Sequence, residues 1–263
     1  MVRFFSLPGF SNITLGEVNG SQVSGFLNYS KEKMQKLQIA GFSNFSSDST
    51  KGVQLAGFSN FANGDVNGVQ IAGFLNVAKK VNGLQLGTIN IADSYESGIP
   101  IGVLSIVKNG FREFEISAGE ALNTQIAFKI GVDKFYNIFT VGTQFLGSDF
   151  SWAFGYGVGT HFVNDDQFKA QLELISSHIN ERSRWWTNTY NDLQQARLIF
   201  TKKIDEYFGI FAGPTINLLI TDNIKNNGQI FNSDFAPYSF YSHSGRNSTL
   251  KGWIGFTAGI QIN

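Results

Sequence analysis

A nine-residue phrase is written repeatedly through the first hundred residues, and it limits the available folds more than any other feature. Gly20-Ser-Gln22-Val-Ser-Gly25-Phe26-Leu-Asn28 returns as Lys36-Leu-Gln38-Ile-Ala-Gly41-Phe42-Ser-Asn44. It returns again as Gly52-Val-Gln54-Leu-Ala-Gly57-Phe58-Ser-Asn60 and as Gly68-Val-Gln70-Ile-Ala-Gly73-Phe74-Leu-Asn76. Weaker copies begin at Gly83 and Gly98, and a half copy, Pro8-Gly9-Phe10-Ser-Asn12, precedes them all. The glutamines recur at intervals of 16, 16, 16 and 15. A fixed short period means stacked units that bury one another, not an enzyme cleft.

Each unit reads as two short β runs around a glycine, joined by turn chemistry such as Asn63-Gly-Asp-Val-Asn-Gly. Two geometries fit. In a parallel β-solenoid each unit is one coil, and equivalent residues stack about 4.8 Å apart. Asn12, Asn28, Asn44, Asn60, Asn76 and Asn90 then form one ladder, and Gln22, Gln38, Gln54, Gln70 and Gln85 another. In an antiparallel meander each unit is one strand, and the repeats join one larger barrel. Repetition of residue identity, rather than of hydrophobicity alone, favours the solenoid.

The pattern changes after Asn109-Gly110. Repetition stops and two-residue alternation begins. Eight strands are expected: Phe111–Ala118, Asn123–Val132, Phe135–Phe145, Phe150–Phe162, Gln167–His178, Leu193–Lys203, Tyr207–Leu219 and Leu250–Ile262. Most reach the roughly 9–11 residues that cross a bilayer when tilted. One face of each is bulky and apolar, as in Trp152, Phe154, Tyr156 and Val158. The other is small or polar, as in Gln195, Arg197 and Thr201, and it bears few charges. That suits a narrow barrel with its apolar face toward lipid. Aromatics near strand ends (Phe135-Tyr136, Trp185-Trp186, Tyr207-Phe208, Tyr238, Phe240-Tyr241 and Trp253) are expected in interfacial girdles. The two long connections, Ile179–Asp192 and Ile220–Thr249, fall at one end. The C-terminus and the turns after the second, fourth and sixth strands fall at the other, where the repeats would join on the periplasmic side.

Composition narrows the function classes. Twenty Lys and Arg balance twenty Asp and Glu, so nucleic-acid binding has no electrostatic footprint. The absence of Cys excludes disulfides, thiolate metal sites and cysteine nucleophiles. No apolar run approaches the ~18 residues of a membrane-spanning helix. Met1–Leu7 is too short for a signal peptide, so the expectation is either a protein that stays inside the cell or a processed or truncated chain, and the half repeat at Pro8 favours truncation.

The repeat beginning at Gly52 resembles that of the surface repeat-containing envelope proteins of spirochaetes and Bacteroidetes. Gly98-Ile-Pro-Ile-Gly-Val-Leu-Ser-Ile-Val-Lys-Asn-Gly is similar to the junction in Bacteroidetes members. So are Lys134-Phe-Tyr-Asn-Ile, Trp152-Ala-Phe-Gly-Tyr-Gly, Phe211-Ala-Gly-Pro-Thr and Gly255-Phe-Thr-Ala-Gly. The family is uncharacterised, outer-membrane β-barrel-like protein. The resemblance implies a location and no catalytic residues.

The one catalytic-looking cluster is Glu173-Leu-Ile-Ser176-Ser177-His178. Ser176 and His178 share a strand face, whereas Glu173 lies on the other, so a third member would have to come from elsewhere. The ordinary reading is a polar strand end. Glu173 and Arg197 are expected to pair inside the barrel from neighbouring strands. His161 and His243 stand alone, so no metal site is expected. Gly155-Tyr-Gly157-Val-Gly159 has no helix after it and is not a nucleotide loop.

The expectation is an all-β protein: β-repeats over 1–109 and an antiparallel eight-stranded outer-membrane-type barrel over 110–263. Its expected place is the outer membrane or cell surface of a Gram-negative bacterium, and its expected role structural or interaction-based. Membrane lipid is the expected partner, with protein partners through the repeats or outer loops, and with no cofactor and no nucleic acid. Three alternatives stay open: a small barrel lipid hydrolase using Ser176 and His178, a small-solute pore if the repeats are barrel strands, and a soluble repeat scaffold.

Overall fold

The computed structural model describes residues 5–6, 9–146, 149–181, 190–226, 229–231, 235–236 and 238–263. It divides into two compact units, Met1–Phe111 with Ile130–Phe135, and Arg112–Lys129 with Tyr136–Asn263. No helix among the described residues is long and apolar enough to cross a membrane, which leaves β-barrels untouched.

The first unit is a parallel β-solenoid. Long strands Val18–Ser24, Met34–Ala40, Thr50–Ala56 and Val66–Ala72 stack in one sheet position. Short strands Ser11–Thr14, Leu27–Ser30, Ser43–Ser46 and Ser59–Ala62 stack in the other. Gln22 pairs with Gln38, Gln38 with Gln54 and Gln54 with Gln70, one coil apart each time. The asparagines do the same. Where the interval falls to 15, a single strand, Leu75–Leu86, runs through both positions.

Burial explains why identity repeats. Gln22, Gln38, Gln54, Gln70 and Gln85 are wholly buried, as are Asn28, Asn44, Asn60, Asn76 and Asn90. A buried amide must find partners, and here the same amide in the neighbouring coil supplies one at each step. Asn44 Nδ2 donates to Asn60 Oδ1 at 2.9 Å and to the Leu55 carbonyl at 2.8 Å. Asn60 repeats this toward Asn76 and Ile71. One asparagine therefore ties both sheet positions of the next coil together, which Asp, having no N–H, could not do.

The outside of the solenoid is arranged unusually. Phe26, Phe42, Phe58 and Phe74 occupy the Gly-Phe corner and stack, with successive centroids 5.0, 4.9 and 5.1 Å apart. Each is about 40% exposed. No charged residue falls in the Gly-Phe corners, whereas the segments between them hold Lys31-Glu32-Lys33, Asp48, Asp65 and Lys79-Lys80.

The second unit is a closed antiparallel barrel of β1 (Phe111–Gly119), β2 (Thr124–Val132), β3 (Phe135–Leu146), β4 (Asp149–Asn164), β5 (Phe168–Asn180), β6 (Asn191–Lys203), β7 (Phe208–Asp222) and β8 (Ser248–Ile262). Each pairs with its neighbour in sequence, and β8 returns to β1, matching Ile116 to Ile260 and Ala118 to Ala258. Closure pairs both edges of the eight-stranded sheet. The repeats contribute no strand to this barrel, so the larger-barrel alternative, and the pore that depended on it, lose their basis.

The faces lie as alternation requires. Phe154, Phe200 and Phe256 point outward, 38%, 41% and 56% exposed, while Lys129, Glu173 and Arg197 point inward at 0–1%. Two girdle assignments are corrected. Tyr136 and Trp253 are wholly buried inside the barrel, because each sits on the inward parity of its strand. Tyr207, Tyr238, Phe240 and Tyr241 remain exposed. Trp185 and Trp186 lie outside the described residues.

Candidate functional site

The barrel interior is filled in two layers. Nearer the short turns is an ionic cluster. Lys129 Nζ lies 2.6 Å from Glu115 and from Glu173, and 3.1 Å from Glu113. Lys169 lies 3.0 Å from Glu113, and Arg197 lies 2.5 Å from Glu115 and 3.4 Å from Glu173. Three acids thus face three cations, and the expected Glu173–Arg197 pair is one edge of a six-residue network. Tyr136 donates to Glu173 Oε1 at 3.1 Å, and Arg197 Nη1 donates to Gln125 Oε1 at 3.1 Å. The ring of Tyr136 needs Gly159, where a Cβ would meet it at 2.4 Å.

Toward the long connections the filling turns apolar. Ala121, Leu122, Ala153, Ile179, Leu193, Leu219, Phe235 and Trp253 pack together. The Glu120 carboxylate folds in beside them, accepting from Trp253 Nε1 at 3.3 Å, Asn217 Nδ2 at 3.0 Å and the Phe256 backbone N–H at 2.8 Å. Between the layers, beside Arg197, Gln125 and Thr215, a cavity of about 20 Å³ has room for one water.

The wall carries a different cluster. Ser176 and His178 share the outward face of β5, as their spacing requires, and Glu173 turns inward to the ionic network. The residue facing His178 across the β5–β6 ladder is Asp192. His178 Nδ1 and Asp192 Oδ1 are 2.8 Å apart, with side chains 22% and 18% exposed. The residue facing Ser176 is Gln194, whose Nε2 donates to Ser176 Oγ at 2.8 Å. The Asp192 carboxylate also lies close enough to Tyr190 to hold that phenol above its ordinary pKa. Tyr190 is fixed to β7: its N–H donates to Asp222 Oδ2 at 3.0 Å and its carbonyl accepts from the Asp222 N–H at 2.8 Å.

Beside Ser176 the small residues Gly157 and Ala196 leave an open groove of about 390 Å³ on the outer wall. Tyr156, Leu174, Gln194 and Ile216 line it. Asp192, Gln194 and Tyr190 were not singled out in the sequence, because the long β5–β6 connection hides their nearness to Ser176 and His178. Among the other histidines, His161 packs against the Tyr136 ring at 4.9 Å, and His243 lies in the strand Tyr241–Ser244, which pairs with β8. Among the described residues no group of three His, Cys, Asp or Glu is placed to hold a metal ion.

No family model, no curated protein and no solved structure matches this chain.

Proposed function

We propose that this chain is an outer-membrane protein of a Gram-negative envelope, in which a sealed eight-stranded barrel anchors a β-solenoid. One observation carries the reading. The barrel wall is inverted relative to a water-soluble protein, with Ile216 61% exposed outside and Lys129 and Arg197 buried within. Water around such a wall would face a continuous belt of Phe, Ile and Leu, whereas acyl chains match it. Both long connections fall at one end of the barrel, beside the short ones after β1 and β3, and only short turns fall at the other, which supports the same placement. A filled interior opposes solute passage. The role that follows is structural or interaction-based, with the repeats and outer loops as contact surfaces. The charge-free Phe corner is the part of the solenoid suited to an apolar contact.

The test is gel migration of the full-length protein in mild detergent, with and without boiling. A membrane-type barrel resists the detergent cold, migrates fast, and slows when boiled. Identical migration under both conditions, or recovery of the protein in the detergent-free soluble fraction, defeats the proposal.

A further inference from the structure

We propose that Ser176, His178 and Asp192 form a hydrolytic site for acyl esters of membrane lipids on the outer wall of the barrel. This inference rests on the membrane-embedded reading above, because the site faces whatever surrounds the wall.

The first argument is cost. Four polar side chains, Ser176, His178, Asp192 and Gln194, sit together on a mostly apolar wall, apart from a second polar pair, Asn137 and Tyr156. Ionisable groups facing a bilayer are expensive, and they mark function more often than accident. The position reduces that cost: β5 ends at Asn180 and β6 begins at Asn191, so the cluster lies where the wall meets the long connections. That depth is the interfacial zone, where lipid ester carbonyls lie between acyl chains and headgroups.

The second argument is geometry. A carboxylate on Nδ1 fixes the imidazole so that Nε2 is left as the base. Ser176 lies two residues away on the same face, roughly 6.6 Å along the strand, so its hydroxyl has to swing from Gln194 toward Nε2 while Asp192 keeps the imidazole in place. Gln194 holds the Ser176 hydroxyl and brings an N–H beside the place where an oxyanion would form. The groove that opens beside Ser176 has the volume of a small-molecule site and an apolar lining suited to one acyl chain.

The chemistry uses only the lipid and water. His178 Nε2 takes the Ser176 proton as Oγ adds to the ester carbonyl. The tetrahedral intermediate collapses by breaking the carbonyl carbon–alkoxy bond, and His178 returns the proton to the departing alcohol. Water then adds to the acyl-serine, giving its proton to His178. The serine Oγ–carbon bond breaks, Ser176 recovers the proton, and a free fatty acid leaves. Asp192 stabilises the imidazolium in both halves.

The experiment uses the full-length protein in detergent micelles, with the boiling shift recorded for every sample. The probes are p-nitrophenyl palmitate, p-nitrophenyl acetate and a fluorophosphonate that labels activated serines. Wild type should release nitrophenol from palmitate with the higher kcat/KM and take one label. Ser176→Ala should lose both, Asp192→Asn should slow hydrolysis about 10³–10⁴-fold, and Ser177→Ala, altered on the inward face, should keep both. A protein that shows the boiling shift but neither labels nor hydrolyses overturns the hydrolase alone. So does labelling that survives Ser176→Ala, and acetate turned over as well as palmitate rejects a lipid substrate. A wild type with no boiling shift overturns the embedded reading, and the lipid substrate with it.

Discussion

The Tyr95 hydroxyl donates to Gln85 Oε1 and ends a run of hydrogen bonds that begins at Thr14. Gln22 donates to Thr14, and Gln38, Gln54, Gln70 and Gln85 each donate back to the glutamine one coil earlier, at 2.6–2.8 Å. The asparagines run the other way. Asn12, Asn28, Asn44, Asn60 and Asn76 each donate forward, at 2.7–3.0 Å. The two amide dipole rows are therefore opposed and partly cancel along the solenoid axis. Burial raises the Tyr95 pKa, which keeps the terminal donor protonated at every ordinary pH.

Tyr95→Phe should leave one buried carbonyl without its donor and destabilise the solenoid by about 1–3 kcal/mol. Asn60→Ala breaks the row in its middle and strips partners from Asn44, Asn76 and Ile71, so its cost should be larger than that of Tyr95→Phe. Thermal melts followed by circular dichroism compare the two. Equal and negligible shifts would show that the rows do not support the fold.

Lys36 holds φ at 90° in the place that Gly52, Gly68 and Gly83 fill one, two and three coils later, at 133°, 146° and 144°. A side chain there is strained, whereas glycine is not. Lys36→Gly should therefore stabilise the solenoid, by about 1 kcal/mol. Gly52→Ala should do the reverse, and more strongly, since its Cβ would lie 2.0 Å from the Lys36 carbonyl oxygen. Denaturant midpoints of the two variants should move in opposite directions.

Much of the architecture was legible because it is periodic. The 16-residue interval led directly to the Gln and Asn rows, and two-residue alternation to all eight barrel strands. The ionic pair Glu173–Arg197 follows from inward alternation on neighbouring strands, and the antiparallel register extends it to the wall. Five residues beyond Glu173 is His178, and five before Arg197 is Asp192, so the pair on the wall follows from the pair in the lumen. What alternation could not convey is filling. Tyr136 and Trp253 look like girdle residues in sequence, yet a narrow barrel must fill its interior, and both lie on inward positions. Glu120, which enters from the β1–β2 connection, has no periodic signal at all.

Lys129 is the hub of the lumen network, 3.1 Å or less from three carboxylates. Lys129→Met should leave those carboxylates undercompensated in a buried site and cost about 3–5 kcal/mol. Adding Glu115→Gln to the same chain should restore part of the loss, because the two side chains are in contact and their effects do not add. Urea midpoints in micelles, read by tryptophan fluorescence, measure this. A single variant as stable as wild type would show that the cluster is not structural.

At the short-turn end, Asp165 Oδ1 accepts from the backbone N–H groups of Gln167 and Phe168, at 2.9 and 2.7 Å. Those bonds hold its pKa below the ordinary aspartate value of 3.8. A carboxylate whose pKa is lowered by folding stabilises the folded state above the ordinary value and loses that contribution as pH falls through its own. Asp165→Asn should therefore lower the denaturant midpoint at pH 6, and the gap from wild type should close on acidification below pH 3.8. A gap independent of pH would assign the loss to the turn's shape and not to its charge.

A lumen packed by six charged residues, Trp253 and an apolar plug should not conduct. Eight strands enclose only enough space for side chains, and the cavity left beside Arg197 holds about one water. The cations and carboxylates inside are already paired, so an entering ion would have to displace a partner from a buried contact of 2.5–3.4 Å. Planar-bilayer recordings of wild type should show no discrete openings at 100 mV. Truncating one member need not open a path, since the apolar layer of Leu122, Leu193, Leu219 and Trp253 lies in series with the ionic one. Opening should require both layers to be thinned, as in Lys129→Ala combined with Trp253→Ala. Steady unitary currents from the unaltered chain would mean that the packing described here is not the state the barrel holds in a membrane.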